Sequence, residues 1–370
     1  MKNLLLLIAI SLFSFSTFSQ VSARIRGRIT DTVKIDRYKP LDNGFQTQKL
    51  YMSPGSWRIK NEAAAELLKN QTIVAVDLVY SDYPKGENFT ELNRRRLIEL
   101  FGALPSAFNR QVISWRIIKQ TGVGKTGGIN NYFHGFVIYY RPMPSNPTEN
   151  GLIEDIVSGN TTSKDSTLLN VFKRNKEWKD MLVVCDVTGS MSPYTAQLLL
   201  WIKENQKLRS MKHIVFFNDD DDKSTSQQKI KDTTGMWGVS SGDYKKVMEV
   251  ALEAMKKGQH YENNLEAVCK AIDDFPEHKG KVLMIADNWE DPCDMYLLKY
   301  LQKKKIPVRI IICGVGTRIN LKYLEIARAT GGTIHTMEDD ITNLATMRDQ
   351  TKFTIGGIQI LLSKERFYQR

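Results

Sequence analysis

The sequence predicts two domains: a smaller α+β domain in the N-terminal half, and a doubly wound, mostly parallel α/β sheet in the C-terminal half. Strand and helix segments in the first half are short, whereas from residue 181 apolar strands alternate with long helical stretches. Repeated alternation of this kind is typical of a parallel sheet with helices on both faces. The 370 residues are enough for two domains. A hydrophobic content of 42% and a charged content of 25% exclude a mainly disordered chain.

The first 19 residues have the pattern of a secretory signal peptide. Lys2 supplies a positive start, the residues from Leu4 to Ile10 are all apolar, and Thr17-Phe18-Ser19 fits a small-x-small cleavage site. An uncleaved membrane anchor is the alternative, but the apolar run is diluted by serines and is short for a span of about 20 apolar residues. Cleavage after Ser19 predicts an exported protein, in the periplasm, on the cell surface or in the medium, with no transmembrane span in the mature chain.

Residues 20–145 are predicted to form the smaller domain. Its predicted elements are a helix at 61–69, a strand at 73–80, a helix at 90–103 and strands at 112–119 and 132–140. The glycine-rich connection 121–128 between the last two strands indicates a hairpin. It contains Gly124-Lys125-Thr126, but a P-loop needs a glycine at position 119, which is lysine. A nucleotide site is therefore not expected.

Positive charge is concentrated in the first half of the chain. Lys and Arg exceed Asp and Glu by nine between residues 20 and 176, and by one between residues 177 and 370. Such a surface can attract anionic polysaccharide or a membrane surface, although solubility alone explains it as well. Basic residues such as Arg24, Arg26 and Arg28 form no basic and aromatic platform, so no nucleic-acid partner is expected.

The second half is predicted to begin after a linker. Residues 142–166 are rich in Pro, Ser, Thr, Asn and Gly, and residues 146–166 are predicted to form that linker. Residues 167–347 then form the second domain, and residues 348–370 form a C-terminal extension that is expected to add a strand. The predicted strands of the second domain are 182–185, 213–217, 281–286, 307–313 and 333–337, and its helices are 194–207, 243–257, 263–274, 294–304 and 320–330.

Oxygen-bearing side chains directly follow two of these strands. Asp186 follows the first strand and opens the segment Asp186-Val-Thr-Gly-Ser-Met-Ser192, which adds three hydroxyl groups. Asp287 follows the strand that ends at residue 286. If the two strands are neighbours, the two carboxylates meet at one edge of the sheet, where sheets of this kind bind ligands. Carboxylate and hydroxyl oxygens are the hard ligands that Mg²⁺ or Ca²⁺ requires.

These loops resemble the metal-ion-dependent adhesion site (MIDAS) of the von Willebrand factor type A (vWA) domain. The family pattern Asp-x-Ser-x-Ser corresponds to Asp186-x-Thr188-x-Ser190, in which threonine keeps the hydroxyl, and Asp287 matches the aspartate of the third loop. The resemblance implies that these four residues hold one divalent cation, Mg²⁺ or Ca²⁺, directly or through water. One coordination position would stay open for a Glu or Asp side chain of a protein partner.

Two later segments agree with the same family. Residues 310–316 resemble its fifth strand and the Gly-x-Gly that follows, and residues 326–332 resemble its last helix, which ends in Thr-Gly-Gly. The resemblance covers residues 178–347 and implies a Rossmann-like sheet with strand order 3-2-1-4-5-6. In that order the fourth strand separates Cys185 from Cys313, so both are expected to be free thiols.

The second loop departs from the family pattern of Gly-Gly-Thr or Gly-Gly-Gly-Asp followed by Pro-Glu. The corresponding segment here is Lys257-Gly-Gln-His-Tyr-Glu-Asn-Asn-Leu-Glu266. Gln259 takes the ligand position if Glu262 aligns with the family glutamate, and Glu262 or Asn263 is the alternative ligand. An amide oxygen is a weaker ligand than a carboxylate, so the ion is expected to bind weakly. The acidic run 219–222 is interpreted as a solvated turn.

Three functions are compatible with these patterns. The first is an exported, metal-dependent protein-binding module for adhesion or assembly. The second is a metal-free vWA scaffold, which the altered second loop keeps open, and the third is an enzyme with its activity in the N-terminal domain. The five histidines are scattered, and the sequence has no Gly-x-Ser-x-Gly elbow and no complete dinucleotide fingerprint. No catalytic residues are therefore predicted, and the binding module is favoured.

Overall fold

The computed structural model of the chain divides into two compact units, Met1–Met143 and Pro144–Arg370. The signal peptide predicted at residues 1–19 lies outside the described residues. The structure describes residues 29–41, 45–69, 71–109, 113–124, 128–141, 146–163, 165–206, 210–218, 235–256 and 263–369. None of the helices within these ranges has the length and apolar character needed to cross a membrane.

In the described part of the N-terminal unit, five strands form one sheet. They are β1 (Ile29–Ile35), β2 (Gln46–Tyr51), β3 (Thr72–Ser81), β4 (Ser114–Gln120) and β5 (Gly135–Arg141). Their order is β1-β4-β3-β5-β2, with β1, β4 and β3 parallel and β5 antiparallel to both of its neighbours. The predicted hairpin of β4 and β5 is therefore wrong. The more apolar β3, almost entirely buried, takes the central position between them.

Helices cover one face of this sheet. Within the described ranges they are α1 (Glu62–Glu66), α2 (Thr90–Ala103) and α3 (Ser106–Asn109). Val76 and Leu78 of β3 share a core cluster with these helices. Asp77 points to the opposite face, where it is buried and accepts hydrogen bonds from Arg116 and from the Tyr38 hydroxyl, the latter at 2.7 Å. The N-terminal unit is thus an α+β domain, and α2 has the predicted bounds.

Seven strands, all within the described residues, form the main sheet of the C-terminal unit. They are β6 (Met181–Asp186), β7 (Met211–Phe217), β8 (Met236–Ser240), β9 (Val282–Asp287), β10 (Val308–Cys313), β11 (Thr333–His335) and β12 (Asp340–Ile341). The order is β12-β11-β10-β9-β6-β7-β8. The inner strands are parallel, and the edge strands β8 and β12 are antiparallel to their neighbours. The predicted mostly parallel sheet is confirmed.

Helices cover both faces of this sheet. One face packs against α4 (Asn146–Ser158), α5 (Thr167–Arg174), α6 (Ser192–Glu204) and α7 (Tyr244–Met255), and the other against α8 (Asn264–Asp274), α9 (Leu298–Lys304) and α10 (Leu321–Thr330). Successive residues of β6 alternate between the two cores: Val183 and Cys185 lie in the first, and Leu182 and Val184 lie in the second. The sheet is therefore doubly wound, as predicted.

The predicted linker is helical over most of its length. Residues 146–158 form α4, and Ile153 and Ile156 are buried in the core of the C-terminal unit. The linker prediction is wrong for these residues. Composition concealed the helix because Pro147 and Gly151, residue types that usually mark loops, lie in its first half.

The predicted C-terminal extension folds as part of the same unit. Its described residues form a small antiparallel sheet of β13 (Lys352–Ile355), β14 (Ile358–Ser363) and β15 (Arg366–Gln369). Ile355, Ile360 and Leu362 are buried in the same core as α10. The extension therefore forms a three-stranded sheet that packs against that core, and not a single added strand.

Candidate metal centre

Asp186 and Asp287 end neighbouring strands at the carboxyl edge of the C-terminal sheet. β6 and β9 are parallel and paired as far as Cys185 and Ile285, so the two aspartates follow on the same edge. Asp186 is 0% exposed and Asp287 is 2% exposed. Buried carboxylates at one edge need hydrogen bonds or a cation to compensate for their desolvation and mutual repulsion.

The loop after β6 is held by its own aspartate. Asp186 Oδ1 accepts a hydrogen bond from the backbone N–H of Thr188 at 2.8 Å, which forms an Asx turn. Gly189–Met191 then forms a single 3₁₀ turn, and Ser192 Oγ donates to the carbonyl of Gly189 at 2.8 Å. The chain thus turns tightly into α6 directly after Asp186.

Ser190 joins the first loop to the third. Its hydroxyl donates to Asp287 Oδ2, while Asp287 Oδ1 accepts from the backbone N–H of Trp289 at 2.7 Å. The Oγ1 atom of Thr188 is buried and has no hydrogen-bond partner within the described residues. The structure therefore gathers Asp186, Thr188, Ser190 and Asp287 into one loop cluster and leaves one hydroxyl oxygen unengaged.

This donor set fits a hard divalent cation. It offers two carboxylates and two hydroxyl groups, and all of these donors are oxygen atoms. The buried Thr188 Oγ1 is an acceptor that a cation would engage. Within the described ranges, no three His, Cys, Asp or Glu side chains are grouped to hold a metal. Among the described residues, an ion at this edge would therefore take its remaining ligands from hydroxyl groups, with water completing the set.

The second-loop candidates Gln259 and Glu262 lie outside the described residues, as does the acidic run 219–222. Asn263, which follows that loop, is 6% exposed. Its Oδ1 accepts a hydrogen bond from Cys293 Sγ at 2.8 Å. The amide oxygen of Asn263 is thus directed at the third loop.

Sequence reasoning missed the polar residues that fix the third loop. Asn288 Oδ1 accepts from the backbone N–H of Asn320 at 2.8 Å, and Asn320 Nδ2 donates to the carbonyl of Glu290 at 2.6 Å. The fully buried Asp294 accepts from the backbone N–H of Glu266 at 2.7 Å and so caps the start of α8. Burial raises the pKa of Asp294 to about 7. No local pattern marks these residues, because the partners are 28 to 32 positions apart in the chain.

Two buried thiols lie on the central strands beside the site. Cys185 is on β6 and Cys313 ends β10, with β9 between them. Both are free thiols, as predicted. Burial, followed by nearby carboxylates that include Asp186, raises the pKa of both well above the usual thiol value. Both thiols are therefore protonated at neutral pH in the metal-free protein.

The Thr-Gly-Gly segment has a packing role. Thr330 Oγ1 donates to the carbonyl of Ile326 at 2.8 Å and accepts from the backbone N–H of Val308 at 3.2 Å. Gly331 ends α10 with a left-handed φ of 70°. A Cβ on Gly332 would lie 1.8 Å from the carbonyl oxygen of Val308. This segment therefore fixes how α10 meets the start of β10.

The strand order β8-β7-β6-β9-β10-β11, counted from β6 as the first strand, is the order 3-2-1-4-5-6 that the vWA resemblance implies. No family model matches the sequence, and no curated protein matches it significantly. A functional assignment for this chain therefore rests on its motifs, its topology and the loop cluster at the carboxyl edge.

Proposed function

We propose that the C-terminal unit is a vWA-type binding module that holds one divalent cation, Mg²⁺ or Ca²⁺, between the loops after β6 and β9. The hydrogen bond from Ser190 to Asp287 carries the proposal, because it joins the first loop of the motif to the third. The strand order and the place of Asp186 at the same edge support it. The proposed activity is binding and not turnover.

The four proposed ligand side chains are of two chemical kinds. Asp186 and Asp287 supply negative charge, and Thr188 and Ser190 supply hydroxyl oxygens. A hard cation bound there supplies positive charge and an open coordination position for an acidic side chain of a protein partner. Both aspartates accept a hydrogen bond from a backbone N–H two residues later, which orients them in the absence of an ion.

A metal-free vWA scaffold is the second candidate, and one observation favours it. Both aspartates already accept hydrogen bonds, from the backbone N–H of Thr188, from Ser190 Oγ and from the backbone N–H of Trp289. These bonds offset part of the free energy that burying the charges costs without an ion. In that case the loops serve as a preformed contact surface.

Export and surface attachment complete the proposal. The signal-like pattern of residues 1–19 supports export to the periplasm, the cell surface or the medium. In the N-terminal unit, Lys and Arg exceed Asp and Glu by nine between residues 20 and 143. This excess supports attachment to anionic polysaccharide or a membrane surface. Such attachment should fade with added salt, because the screening length is only ~8 Å at physiological ionic strength.

Metal-dependent stabilisation of the mature chain tests the metal site. Melting temperature is measured across millimolar Mg²⁺, Ca²⁺ and Mn²⁺, and a bound ion should raise it by an amount set by ion concentration over Kd. Asp186→Ala should abolish the rise without unfolding the protein. Asp274→Ala, an exposed aspartate on α8, is the matched control and should keep it. A wild-type melting curve that none of the three ions moves would leave only the metal-free scaffold.

A further inference from the structure

A second candidate site lies at the amino edge of the C-terminal sheet, opposite Asp186 and Asp287. A cleft of about 610 Å³ opens there between residues 177–181, residues 277–281 and the first residues of β7 and β10. Among the described residues that line it, positive charges outnumber the three carboxylates. The cations are Lys179, Lys212, Lys279, Lys281 and Arg309.

Arg309 is the half-buried cation of this cleft. Its guanidinium carbon lies 3.8 Å from the centre of the Trp178 ring. Its Nε is buried and has no hydrogen-bond partner in the described part of the chain, and Nη1 only approaches Met181 Sδ, at 3.9 Å. Burial lowers the pKa of Arg309 to about 10, so the side chain remains charged at neutral pH. A partly desolvated guanidinium without an ion pair is a charge that a bound anion would stabilise.

The acidic residues of the cleft neutralise its cations only in part. Glu277 contacts His213 at 3.2 Å, and burial lowers the pKa of that histidine, so the histidine is neutral at neutral pH. Glu177 and Asp180 are exposed to solvent, and Glu177 raises the pKa of Arg309 without forming an ion pair with it. Five cations against three carboxylates leave the cleft a net positive charge. The cleft lysines at 179, 212 and 281 are also exposed and form no ion pair among the described residues. The positive charge of the cleft is therefore available to a ligand.

We propose that this cleft binds a phosphate or sulfate ester, with Arg309 as the principal contact and Lys212 and Lys281 as supporting charges. A guanidinium presents its N–H donors in a plane that matches two oxygens of such a group. The exposed lysines add attraction for a multiply charged anion without fixing its orientation.

An adjoining aromatic cleft indicates which organic group is attached to the phosphate or sulfate. It has a volume of about 270 Å³ and shares Trp178, Lys179 and Met181 with the basic cleft. Phe172 and Trp201 line it together with the polar residues Asn175, Lys176, Asn205 and Ser210, and the indole Nε1 of Trp201 is buried without an acceptor among the described residues. Aromatic walls favour a ring or a short apolar group. The ligand class is therefore an aryl or apolar ester of phosphate or sulfate.

Calorimetric titration of the mature chain tests this proposal, with phenyl phosphate, phenyl sulfate and inorganic phosphate as probes. A chelator is present throughout, so that a metal at the carboxyl edge contributes nothing. At least one phenyl ester should bind, and the preferred one identifies the anion. Phenyl phosphate should bind several-fold more tightly than inorganic phosphate if phosphate is preferred. Arg309→Met should weaken binding of the preferred ester by about tenfold or more, whereas Lys299→Met, an exposed lysine of α9, should not change it.

A double variant tests the proposal if Arg309→Met does not fold. If Arg309→Met fails to fold by circular dichroism, the double variant Lys212→Met and Lys281→Met replaces it, because both side chains are exposed. That variant should weaken binding several-fold. Absence of binding by both esters at millimolar concentration, or an affinity that neither variant changes, would overturn the proposal. Asp186→Ala should leave ester binding intact, so failure of the metal site and failure of this cleft are distinguishable.

Discussion

The two edges of the C-terminal sheet carry opposite charges, and the charged groups differ in burial and in hydrogen bonding. At the carboxyl edge, Asp186 and Asp287 are buried and held by hydrogen bonds from the loops around them. At the amino edge, Arg309 is half-buried without an ion pair in the described structure, and the lysines around it are exposed. Helices that alternate with parallel strands direct their N-termini to the carboxyl edge and their C-termini to the amino edge. The helix dipoles therefore favour negative groups at the first edge and positive groups at the second.

This comparison shows how each edge could bind an anion. An acidic partner at the carboxyl edge is repelled by two buried carboxylates, so a cation must lie between the partner and these carboxylates. An anion at the amino edge meets charges of opposite sign and needs no ion. A chelator should therefore abolish the first kind of binding and leave the second intact.

The largest effect is expected at Gly332, which sets the geometry of the amino edge. A Cβ there would lie 1.8 Å from the carbonyl oxygen of Val308, the residue before Arg309. Because the clash is with backbone, the chain itself must move. We expect Gly332→Ala to lower the free energy of unfolding by about 3 kcal/mol or more, measured by chemical denaturation. Gly151→Ala in α4, where a Cβ meets nothing within 4 Å, is the control and should be neutral or slightly stabilising. Equal effects of the two substitutions would contradict the close approach.

A pH dependence at Asp294 is the largest effect expected at the carboxyl edge. Burial raises its pKa from 3.8 to about 7, so the folded protein keeps a proton that the unfolded chain releases. The contribution of this group to stability is full below about pH 4 and is lost as the pH rises towards 7, by at most about 1.4 kcal/mol per pH unit. Asp294→Asn keeps an oxygen for the backbone N–H of Glu266 and should flatten this dependence.

Denaturation of wild type and Asp294→Asn between pH 4 and pH 8 measures the effect. Asp273→Asn, an exposed aspartate on α8, is the matched control and should keep the wild-type slope. Identical slopes for wild type and Asp294→Asn would show that Asp294 is ionised in the folded protein at these pH values.

The central strands were predictable and the edges of the sheet were not. Each inner strand of the C-terminal sheet lies within two residues of its predicted bounds, because strands buried on both faces are continuous apolar runs. β8 is an edge strand with a single buried residue, so no apolar run marks it. The C-terminal strands β13 and β15 likewise have a single buried residue each, which weakens the sequence signal.

In the candidate site, residues close in sequence were predictable and contacts between distant segments were not. Asp186, Thr188 and Ser190 lie in one short motif, so they can be predicted from the sequence without a structure. The hydrogen bond between Ser190 and Asp287 joins residues 97 positions apart, and strand order alone decides whether they meet. The capping of α8 by Asp294 has no sequence signature, because Asp294 lies 28 positions after Glu266, from whose backbone N–H it accepts a hydrogen bond.

Thr188→Val is expected to separate the metal-binding module from the metal-free scaffold. The Oγ1 atom of Thr188 is buried without a hydrogen-bond partner in the described residues. Removing it should leave the metal-free protein unchanged or stabilise it by about 1 kcal/mol. If this hydroxyl is a ligand, the variant should also lose most of the rise in melting temperature that Mg²⁺ or Ca²⁺ gives.

Thr195→Val is the matched control, because Thr195 of α6 also has a buried hydroxyl without a partner in the described structure and lies outside the motif. It should change stability in the same way and keep the metal response. A metal response that survives Thr188→Val unchanged would contradict the ligand role of Thr188.

The smallest effect is expected for the exposed lysines of the amino edge. Lys212 and Lys281 form no ion pair among the described residues, so neither should hold the fold together. Lys212→Met and Lys281→Met should each change the free energy of unfolding by less than about 0.5 kcal/mol. The change should be a small gain at low salt, because removing one cation relieves repulsion with Arg309, and it should vanish at 1 M salt, where the screening length is about 3 Å. Denaturation at both salt concentrations measures it, with Lys299→Met on α9 as the control. A loss greater than about 1 kcal/mol would mean that these lysines stabilise the C-terminal ends of the neighbouring helices, and their charge would then not be available to an anion.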